Sequence, residues 1–284
     1  MSNVADLAAP VEQELLREAG RGRWADRLRR YAPAAIVFML ALALWEVAVI
    51  VFNIENFLLP KPSLIAVTFL RELPIVFGAS VFTMRAAVGG FLLGSLLGVL
   101  IALGTARWTV VSEGMMPLAV AINSTPIVAL APIMNQWFGI TDPLSKMSIV
   151  AAIVFFPVMI NTVRGLTQVE SSALELMRSY AAGEFTVLFR LRIPNAFPYI
   201  FSALKVASTL SVIGAIVSEY FGGLGPKDAL GAYISQQAAL FHFAEAWAAI
   251  IVACLTGIAF YAILLLAERL VMPWHVSLRA TEEE

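Results

Sequence analysis

The amino-acid sequence predicts an all-α integral membrane protein with about six transmembrane helices. Hydrophobic residues make up 60% of the 284 residues and charged residues only 14%, and the mean hydropathy is +0.83. Charged residues account for roughly a quarter of an average soluble domain, and a soluble fold of this length has too little interior to bury so much apolar surface. The apolar residues also fall into separate runs of about 20 residues, the length that crosses a bilayer as a helix.

Six such runs are predicted to be the transmembrane helices. They are Pro33 to Phe52, Arg85 to Ala106, Met116 to Phe138, Met147 to Val163, Tyr199 to Phe221 and Ala246 to Leu266. The third and fourth runs contain prolines, which favour kinks. Two of the connections are longer than a tight turn. The first, residues 53–84, contains an amphipathic stretch from Ser63 to Phe77, and the second is residues 164–198.

The distribution of lysine and arginine predicts that both termini are cytoplasmic. With the N-terminus in the cytoplasm and six alternating spans, the cytoplasmic side receives six arginines before the first span and seven more basic residues after it. The outer side receives only Lys61, Arg71, Lys146 and Lys227. Basic residues concentrate on the cytoplasmic side of membrane proteins. We therefore expect a basic cytoplasmic arm (1–30), a first helix with its outer segment (31–80), a core (81–272) and a cytoplasmic tail (273–284).

The first half of the loop at 164–198 is predicted to form a short cytoplasmic helix. Ser172 followed by Glu175 has the form of a capping box, which marks a helix start. Apolar residues then recur at helical spacing from Ala173 to Tyr180 and form one apolar face. Gly183 follows two alanines and suits a helix C-cap.

A second short helix is predicted from Glu184 to Arg192, with Pro194 and Pro198 marking the return to the membrane. The two short helices would expose apolar groups to the cytoplasm. An exposed apolar helix face needs a partner. The residues alone leave two partners open, the lipid headgroups and another protein.

The loop carries the sequence LELMRSYAAGEFTVLFRLRIP from Leu174 to Pro194, and then NAFPYIFSALKVA. This sequence resembles the cytoplasmic EAA-type loop of binding-protein-dependent ABC importer permeases, most specifically in its Arg-Ile-Pro ending. In that family the loop forms a coupling helix that inserts into a groove on the ATPase subunit. Tyr180-Ala181-Ala182 stands where Glu-Ala-Ala is common, and the usual glycine position falls on Ala181 when the loop is aligned backwards from Pro194.

Ordered matches outside the loop resemble the nitrate, taurine and sulfonate branch of the same family. They are FLLPKPS at 57–63, Pro132, WFGI at 137–140, FFP at 155–157 and Asn161-Thr162. Within the branch, MRSYAA at 177–182, LKV at 204–206, IGAI at 213–216 and the tail at 268–275 look most like permeases for thiamine-precursor pyrimidines or riboflavin. The resemblance implies a type I ABC importer permease fold, residence in the cell membrane, and import of a small polar solute of that kind. Taurine, sulfonate or nitrate is the alternative within the branch.

The resemblance also implies a set of partners. These are a pair of ABC ATPase subunits, an extracytoplasmic solute-binding protein and a second permease copy in a homodimer. ATP and magnesium would bind to the ATPase, because this chain has no G-x-x-x-x-G-K-[ST] sequence. We expect no enzyme activity, cofactor or metal in this chain, because no HExxH, paired-carboxylate or Ser/His/Asp constellation stands out and His242 and His275 lie near opposite membrane faces. We also expect no nucleic-acid binding, since the N-terminal arginines are explained by orientation and anionic lipid. The alternative from another class is a secondary transporter, which should show paired halves; the sequence has no convincing internal repeat.

Two sets of residues are candidates for functional contacts. By the resemblance, the ATPase contact is expected at Glu175, Leu176, Arg178, Tyr180, Ala181, Ala182, Gly183 and Phe185. Polar residues at membrane depth usually face a cavity or another helix, and a translocation path is expected at Asn123, Ser124, Thr125, Asn135, Ser208 and Glu219. Hydrogen bonding between helices is the competing explanation of the second set.

Two further features of the spans predict contacts within the bundle. Gly90, Gly94 and Gly98 form two overlapping G-x-x-x-G patterns in the second span. Such patterns permit close contact between helices, and we expect that contact within the subunit. Glu46 lies inside the first span and needs a polar partner there, which the sequence does not identify.

Overall fold

The computed structural model describes residues 32–105, 127–140, 142–220 and 229–272, together with Arg29 and Gly114. In these ranges the regular elements are helices. They are α1 (Ala32–Val51), α2 (Pro62–Thr105), a 3₁₀ turn (Ile127–Leu130), α3 (Ala131–Phe138), α4 (Pro143–Thr167), α5 (Ser171–Ser179), α6 (Glu184–Val187), a π turn (Leu188–Arg192), α7 (Ile193–Tyr220), α8 (Leu230–Ala239) and α9 (Phe243–Val271).

The chain divides into two compact units, the first ending at Ile65 and the second beginning at Ala66. In the first unit, α1 ends in a left-handed turn at Asn53, whose φ is 54°. Glu46 finds its partner here, because its carboxylate accepts hydrogen bonds from the Ser63 amide at 3.0 Å and the Ser63 hydroxyl at 2.7 Å. The carboxylate thereby satisfies one of the free N–H groups at the start of α2.

Helix α2 corrects the prediction of a separate amphipathic stretch at Ser63–Phe77. The chain is helical without a break over 44 residues and passes through Pro74. At 1.5 Å per residue this is about 66 Å, roughly twice the hydrocarbon thickness of a bilayer. The helix continues because its buried face does: Val76, Ala79, Thr83 and Ala86 follow one another at helical spacing and are all buried.

The core of the second unit is formed by α2, α4, α7 and α9. Each of the four helices contributes to one buried apolar cluster, which includes Phe91, Val154, Ala207 and Phe260. Helices α2 and α4 approach especially closely along the predicted glycine stripe. A methyl group at Gly90 would lie 2.6 Å from the Met147 carbonyl oxygen, and one at Gly98 would lie 2.9 Å from the Phe155 carbonyl oxygen. The predicted close contact within the subunit is confirmed.

Five helical segments are long and apolar enough to cross a membrane: Ala32–Val51, Pro62–Thr105, Pro143–Thr167, Glu184–Tyr220 and Phe243–Val271. They contain the predicted first, second, fourth, fifth and sixth spans, apart from one terminal residue each of the first, second and fifth. The predicted third span is described only over residues 127–138, which form the 3₁₀ turn and α3. Its remaining residues, 116–126, lie outside the described part of the chain.

Candidate functional site

The loop between α4 and α7 forms a helix, a tight turn and a second helical segment, as predicted. Two hydrogen bonds close the end of the first helix, α5. One runs from the Ala182 amide to the Met177 carbonyl at 3.0 Å, and the second, nested inside it, runs from the Ala181 amide to the Arg178 carbonyl at 2.9 Å. This pattern is the Schellman motif, which normally places glycine in the left-handed position. Here Ala181 occupies that position, with a φ of 52°.

The turn corrects two predictions about the ends of α5. Gly183 is not the C-cap: it is extended, with φ −67° and ψ 159°, and directly precedes α6. The capping box is also absent, since α5 begins at Ser171 after Glu170, whose side chain makes no capping hydrogen bond. The Ser172 hydroxyl instead donates to the Glu170 carboxylate at 2.7 Å. The residue in the left-handed conformation is Ala181 rather than Gly183. This conformation costs an L-residue about 1–2 kcal/mol.

The second half of the loop corrects the prediction of a separate short helix at Glu184–Arg192. The residues from Glu184 to Tyr220 form one helical segment of 37 residues. Its path contains a π turn at Leu188–Arg192, where the Ile193 amide donates to the Leu188 carbonyl. Proline is tolerated in the first turn of a helix, and Pro194 is the second residue of α7, which begins right after the π turn.

The loop exposes large side chains on both of its helices. Tyr180 is 77% exposed and Phe185 is 71% exposed, and Leu176 and Phe189 are also more than half exposed. A groove of about 330 Å³ lies between the two helical segments, lined by Leu174, Arg178, Ala182, Phe185, Leu188 and Arg192. Of the predicted coupling residues, Leu176, Tyr180 and Phe185 are therefore available for contact with another surface.

The loop is fixed to the helical core at its base. The Asn195 side-chain amide donates to the Gly165 carbonyl at 2.8 Å and to the Gln168 carbonyl at 3.0 Å. A methyl group at Gly165 would lie 2.7 Å from the Ala196 Cα, so α4 and α7 are in backbone contact there. Apolar packing of Leu188 against the same junction extends this contact. Sequence reasoning missed Asn195, although it directly follows the Arg-Ile-Pro motif.

A second site is a buried polar cluster around Lys146. Asn135 of α3 accepts hydrogen bonds at Oδ1 from the Ser145 hydroxyl at 2.6 Å and from Lys146 Nζ at 2.7 Å. Lys146 Nζ also donates to the Ile140 carbonyl at 3.2 Å. Lys146 is only 1% exposed. By sequence, Lys146 is assigned to the outer side of the membrane, which stays a prediction; its burial inside the protein was not foreseen.

The predicted path residue Glu219 lies in a related buried cluster. Its Oε2 accepts hydrogen bonds from the Thr83 hydroxyl at 2.9 Å and from the Gly231 amide at 3.0 Å. The Leu230 amide donates to Thr83 Oγ1 at 3.0 Å. The structure thus places Asn135 and Glu219 in two hydrogen-bonded clusters, Asn135 with Lys146 and Glu219 with Thr83 and Gly231.

The other predicted path residues do not join either cluster. Ser208 is buried and its hydroxyl donates to the Lys205 carbonyl of its own helix at 2.7 Å. It lies eleven residues before Glu219, which is about 16 Å along the axis of α7. Asn123, Ser124 and Thr125 lie outside the described residues.

Helix α8 is also attached to α2 at Tyr233. The Tyr233 hydroxyl donates to the Glu72 carboxylate at 3.3 Å. Burial, together with that nearby carboxylate, raises the pKa of the Tyr233 phenol to about 12. The phenol therefore remains a hydrogen-bond donor throughout the physiological pH range.

Comparison with known proteins identifies the family. The model of the family described as "Binding-protein-dependent transport system inner membrane component" matches residues 90–274. The chain belongs to this family. It is therefore a multi-pass membrane protein and the permease subunit of an ABC importer, and the predicted resemblance is confirmed.

Two relatives match this permease over most of their length. A riboflavin transport system permease protein of Chloroflexus aurantiacus is 28% identical over 244 residues, 85% of this chain and 90% of the relative. A formylaminopyrimidine transport permease protein of Halalkalibacterium halodurans is 29% identical over 240 residues, 84% of this chain and 94% of the relative. Other relatives carry names that refer to aliphatic sulfonates and nitrate.

A solved structure confirms the fold. A chain of an amino acid ABC transporter crystallised with histidines aligns with a TM-score of 0.57, covering 72% of this permease and 97% of that chain. The two are 18% identical in sequence. The shared architecture is the type I permease fold.

Proposed function

We propose that this permease imports a pyrimidine thiamine precursor or a riboflavin-like solute, driven by an ABC ATPase that contacts the loop at 164–198. The observation that carries the coupling proposal is the exposure of Leu176, Tyr180 and Phe185 on a loop fixed to the helical core. Large apolar and aromatic side chains of this kind supply most of the energy of protein interfaces. A lipid surface is the competing partner for the same apolar groups.

The attachment of the loop supports its role as a lever. Asn195 holds the base of the loop to the end of α4, and α6 continues through the π turn into α7. A displacement of the exposed side chains would therefore move α4 and α7 together rather than bend a flexible connection. In this account ATP hydrolysis by the partner supplies the displacement, and the permease converts it into a change of access to the solute path.

The solute path in this proposal passes the polar side chains at membrane depth, including Asn135, Ser208 and Glu219. An extracytoplasmic binding protein would deliver the solute, and a second copy of the chain would complete the path as a homodimer. The substrate proposal is supported by the two relatives whose names refer to riboflavin and formylaminopyrimidine. Sulfonate or nitrate is the second candidate, supported by other relatives' names.

Coupling is tested by Tyr180→Asp, with Tyr180→Phe as its matched control. A charge placed at a buried interface anchor is expected to cost about 2 kcal/mol or more, which weakens the association roughly 30-fold. The aspartate variant should therefore lose ATP-driven uptake in proteoliposomes containing the ATPase and the binding protein, while the phenylalanine variant retains it. Equal uptake by the two variants would remove Tyr180 from the coupling contact.

The substrate is tested by isolating the binding protein that copurifies with the tagged permease. Calorimetric titration with pyrimidines, flavins, taurine, sulfonates and nitrate should give binding for the pyrimidine or the flavin. Binding of taurine, a sulfonate or nitrate alone would replace the proposed substrate with the second candidate and leave the coupling proposal intact.

A further inference from the structure

The groove on the loop between α4 and α7 combines an apolar lining with two arginines. Its volume is about 330 Å³, at the lower end of the range for ligand pockets, so it has room for a few side chains of an extended segment. One side consists of residues spaced four apart, which share a face of α5 and its turn: Leu174, Arg178 and Ala182. The other side includes Phe185, Leu188 and Arg192. Arg178 is exposed and Arg192 is half-buried.

The chain that follows α9 carries the complementary pattern of charge. Residues 273–284, which lie outside the described part of the chain, have the sequence PWHVSLRATEEE. Three consecutive glutamates follow the apolar residues Val276 and Leu278. Carboxylates form strong charge-assisted hydrogen bonds with arginine. The minority charges are also opposite in sign, because the groove includes Glu184 and the tail includes Arg279.

The end of α9 lies on the same side of the bundle as the groove. Glu268 of α9 accepts hydrogen bonds from Lys205 Nζ of α7 at 2.7 Å and 3.0 Å. Nearer its start, α9 packs at Val252 in a cluster with Ile216 of α7. The two helices are therefore antiparallel, and α9 ends toward the loop from which α7 begins. Met272, four residues after Glu268, is only 1% exposed, so the tail starts from a fixed point.

The tail is long enough to reach the groove from that point. Arg192 lies thirteen residues before Lys205 in one helical segment, which is about 20 Å along the axis. Met272 lies about 6 Å nearer the loop than Glu268, so about 14 Å separates it from the level of Arg192. The ten residues 273–282 span up to about 33 Å when extended. Packed helices are about 8–10 Å apart, so the sideways distance is covered as well.

We propose that the acidic segment 282–284 of the chain's own tail docks in this groove, with its carboxylates on Arg178 and Arg192. The docked tail covers Arg178 and Phe185, which are two of the side chains expected in the ATPase contact. One consequence rests on the proposed coupling function: the tail and the ATPase compete for the groove. The tail then covers the loop of an unassembled permease until the ATPase displaces it.

Docking is tested by crosslinking in lipid nanodiscs, without ATPase and with Cys254 changed to alanine. Thr281→Cys is the reporter in the tail and leaves the three glutamates in place. It is paired either with Ala182→Cys, which lines the groove, or with Ser179→Cys as the matched control. Ser179 is exposed near the end of α5, and its hydroxyl donates to the Leu176 carbonyl of its own helix. A short bismaleimide joins the cysteines, and mass spectrometry measures the rate.

The groove pair should crosslink about tenfold faster than the control pair, because docking raises the effective concentration of the tail at the groove. Changing all three glutamates to glutamine should bring the groove pair to within roughly threefold of the control, since the charge-assisted bonds are lost. Salt at about 1 M should have the same effect, because it shortens the Debye length to about 3 Å. Arg178→Glu should slow the groove crosslink, and adding Glu283→Arg should restore part of the rate.

The identity of the occupant is tested by mixing isotope-labelled and unlabelled copies before reconstitution. Crosslinked peptides should join segments that carry the same label. Products with mixed labels would assign the groove to the tail of a second copy and overturn the proposal. Equal rates for the groove and control pairs, or a rate unchanged by the glutamine variants, would also overturn it. If Ala182→Cys does not give a monodisperse protein, Phe185→Cys is the second groove reporter, since Phe185 is 71% exposed.

Competition is tested by adding the ATPase that copurifies with the permease. The groove crosslink should slow as the ATPase binds. An unchanged rate with an ATPase that supports uptake would refute the competition. Because the docking experiment itself uses no ATPase, failed docking with intact coupling is distinguishable from the reverse.

Discussion

The close contact between α2 and α4 predicts that a methyl group added to a glycine at the contact lowers the stability of the protein. In Gly94→Ala, the added methyl would overlap the Ala151 carbonyl oxygen and lie 2.9 Å from the Ala151 Cα. These are backbone atoms in the interior of α4, so the helices must separate. Overpacking of this kind costs about 1–3 kcal/mol, and we place Gly94→Ala near the upper end because no flexible side chain is available to yield.

Gly78→Ala is the matched control in the same helix. A methyl group at Gly78 would meet nothing within 4 Å. Replacing glycine by alanine inside a helix contributes about 1 kcal/mol. Gly78→Ala should therefore gain stability. In Gly94→Ala the same gain in helix propensity offsets only part of the overpacking, so the free energy of unfolding should fall by a net amount of about 1–2 kcal/mol.

The assay is thermal unfolding of the purified permease in nanodiscs, followed by tryptophan fluorescence. Each kcal/mol shifts the Tm of a domain of 150–250 residues by about 2–4 °C. Gly94→Ala should unfold several degrees below the parent chain, and Gly78→Ala should unfold at or slightly above it. A Tm for Gly94→Ala equal to or above that of Gly78→Ala would refute the close contact between α2 and α4.

Two further predictions concern helix ends. The Asp142 side chain accepts a hydrogen bond from the Leu144 amide at 2.8 Å at the start of α4. Asp142→Ala should therefore lower the free energy of unfolding by about 0.5–2 kcal/mol and lower the Tm, while Asp142→Asn should keep most of the stability. Equal losses in the two variants would exclude the cap. Ala181→Gly relieves the left-handed strain of about 1–2 kcal/mol at the end of α5 and should slow hydrogen exchange in residues 171–187. Ala182→Gly, one residue further on, should not slow this hydrogen exchange. Slower exchange in Ala182→Gly than in Ala181→Gly would contradict the assigned turn.

The apolar runs and the ordered motifs were sufficient to predict the membrane class, the helical core and the position of the loop. Local patterns failed where tertiary packing overrides them. The stretch Ser63–Phe77 looked separate from the second span, but α2 continues through both because its buried face continues. Pro194 looked like the boundary after a short helix, but the helical segment continues through it and a π turn precedes it. Gly183 looked like the C-cap of α5, but the two hydrogen bonds at the end of α5 put Ala181 in the left-handed position.

The buried polar network could not be predicted from the sequence, because its members come from distant parts of the chain. Three of its members, Thr83, Glu219 and Gly231, lie on three different helices, and their proximity depends on how those helices pack. The residue types gave partial signals: Glu219 is an acidic residue at the end of an apolar run, and Asn135 is an amide within one. Lys146 gave no signal of burial, since its position beside the start of a span identified it only as a charge on the outer side of the membrane.

The most direct test of the coupling claim is crosslinking from position 180 in native membranes. A photoreactive phenylalanine analogue replaces Tyr180, which is 77% exposed on the loop, and mass spectrometry identifies the products. A second variant carries the analogue at Ile263, an exposed position within α9, as the lipid-facing control. Position 180 is expected to crosslink to a protein with the G-x-x-x-x-G-K-[ST] sequence of an ATPase, and position 263 is not. Crosslinks from position 180 to lipid alone would refute the coupling contact and would make the loop an interfacial helix.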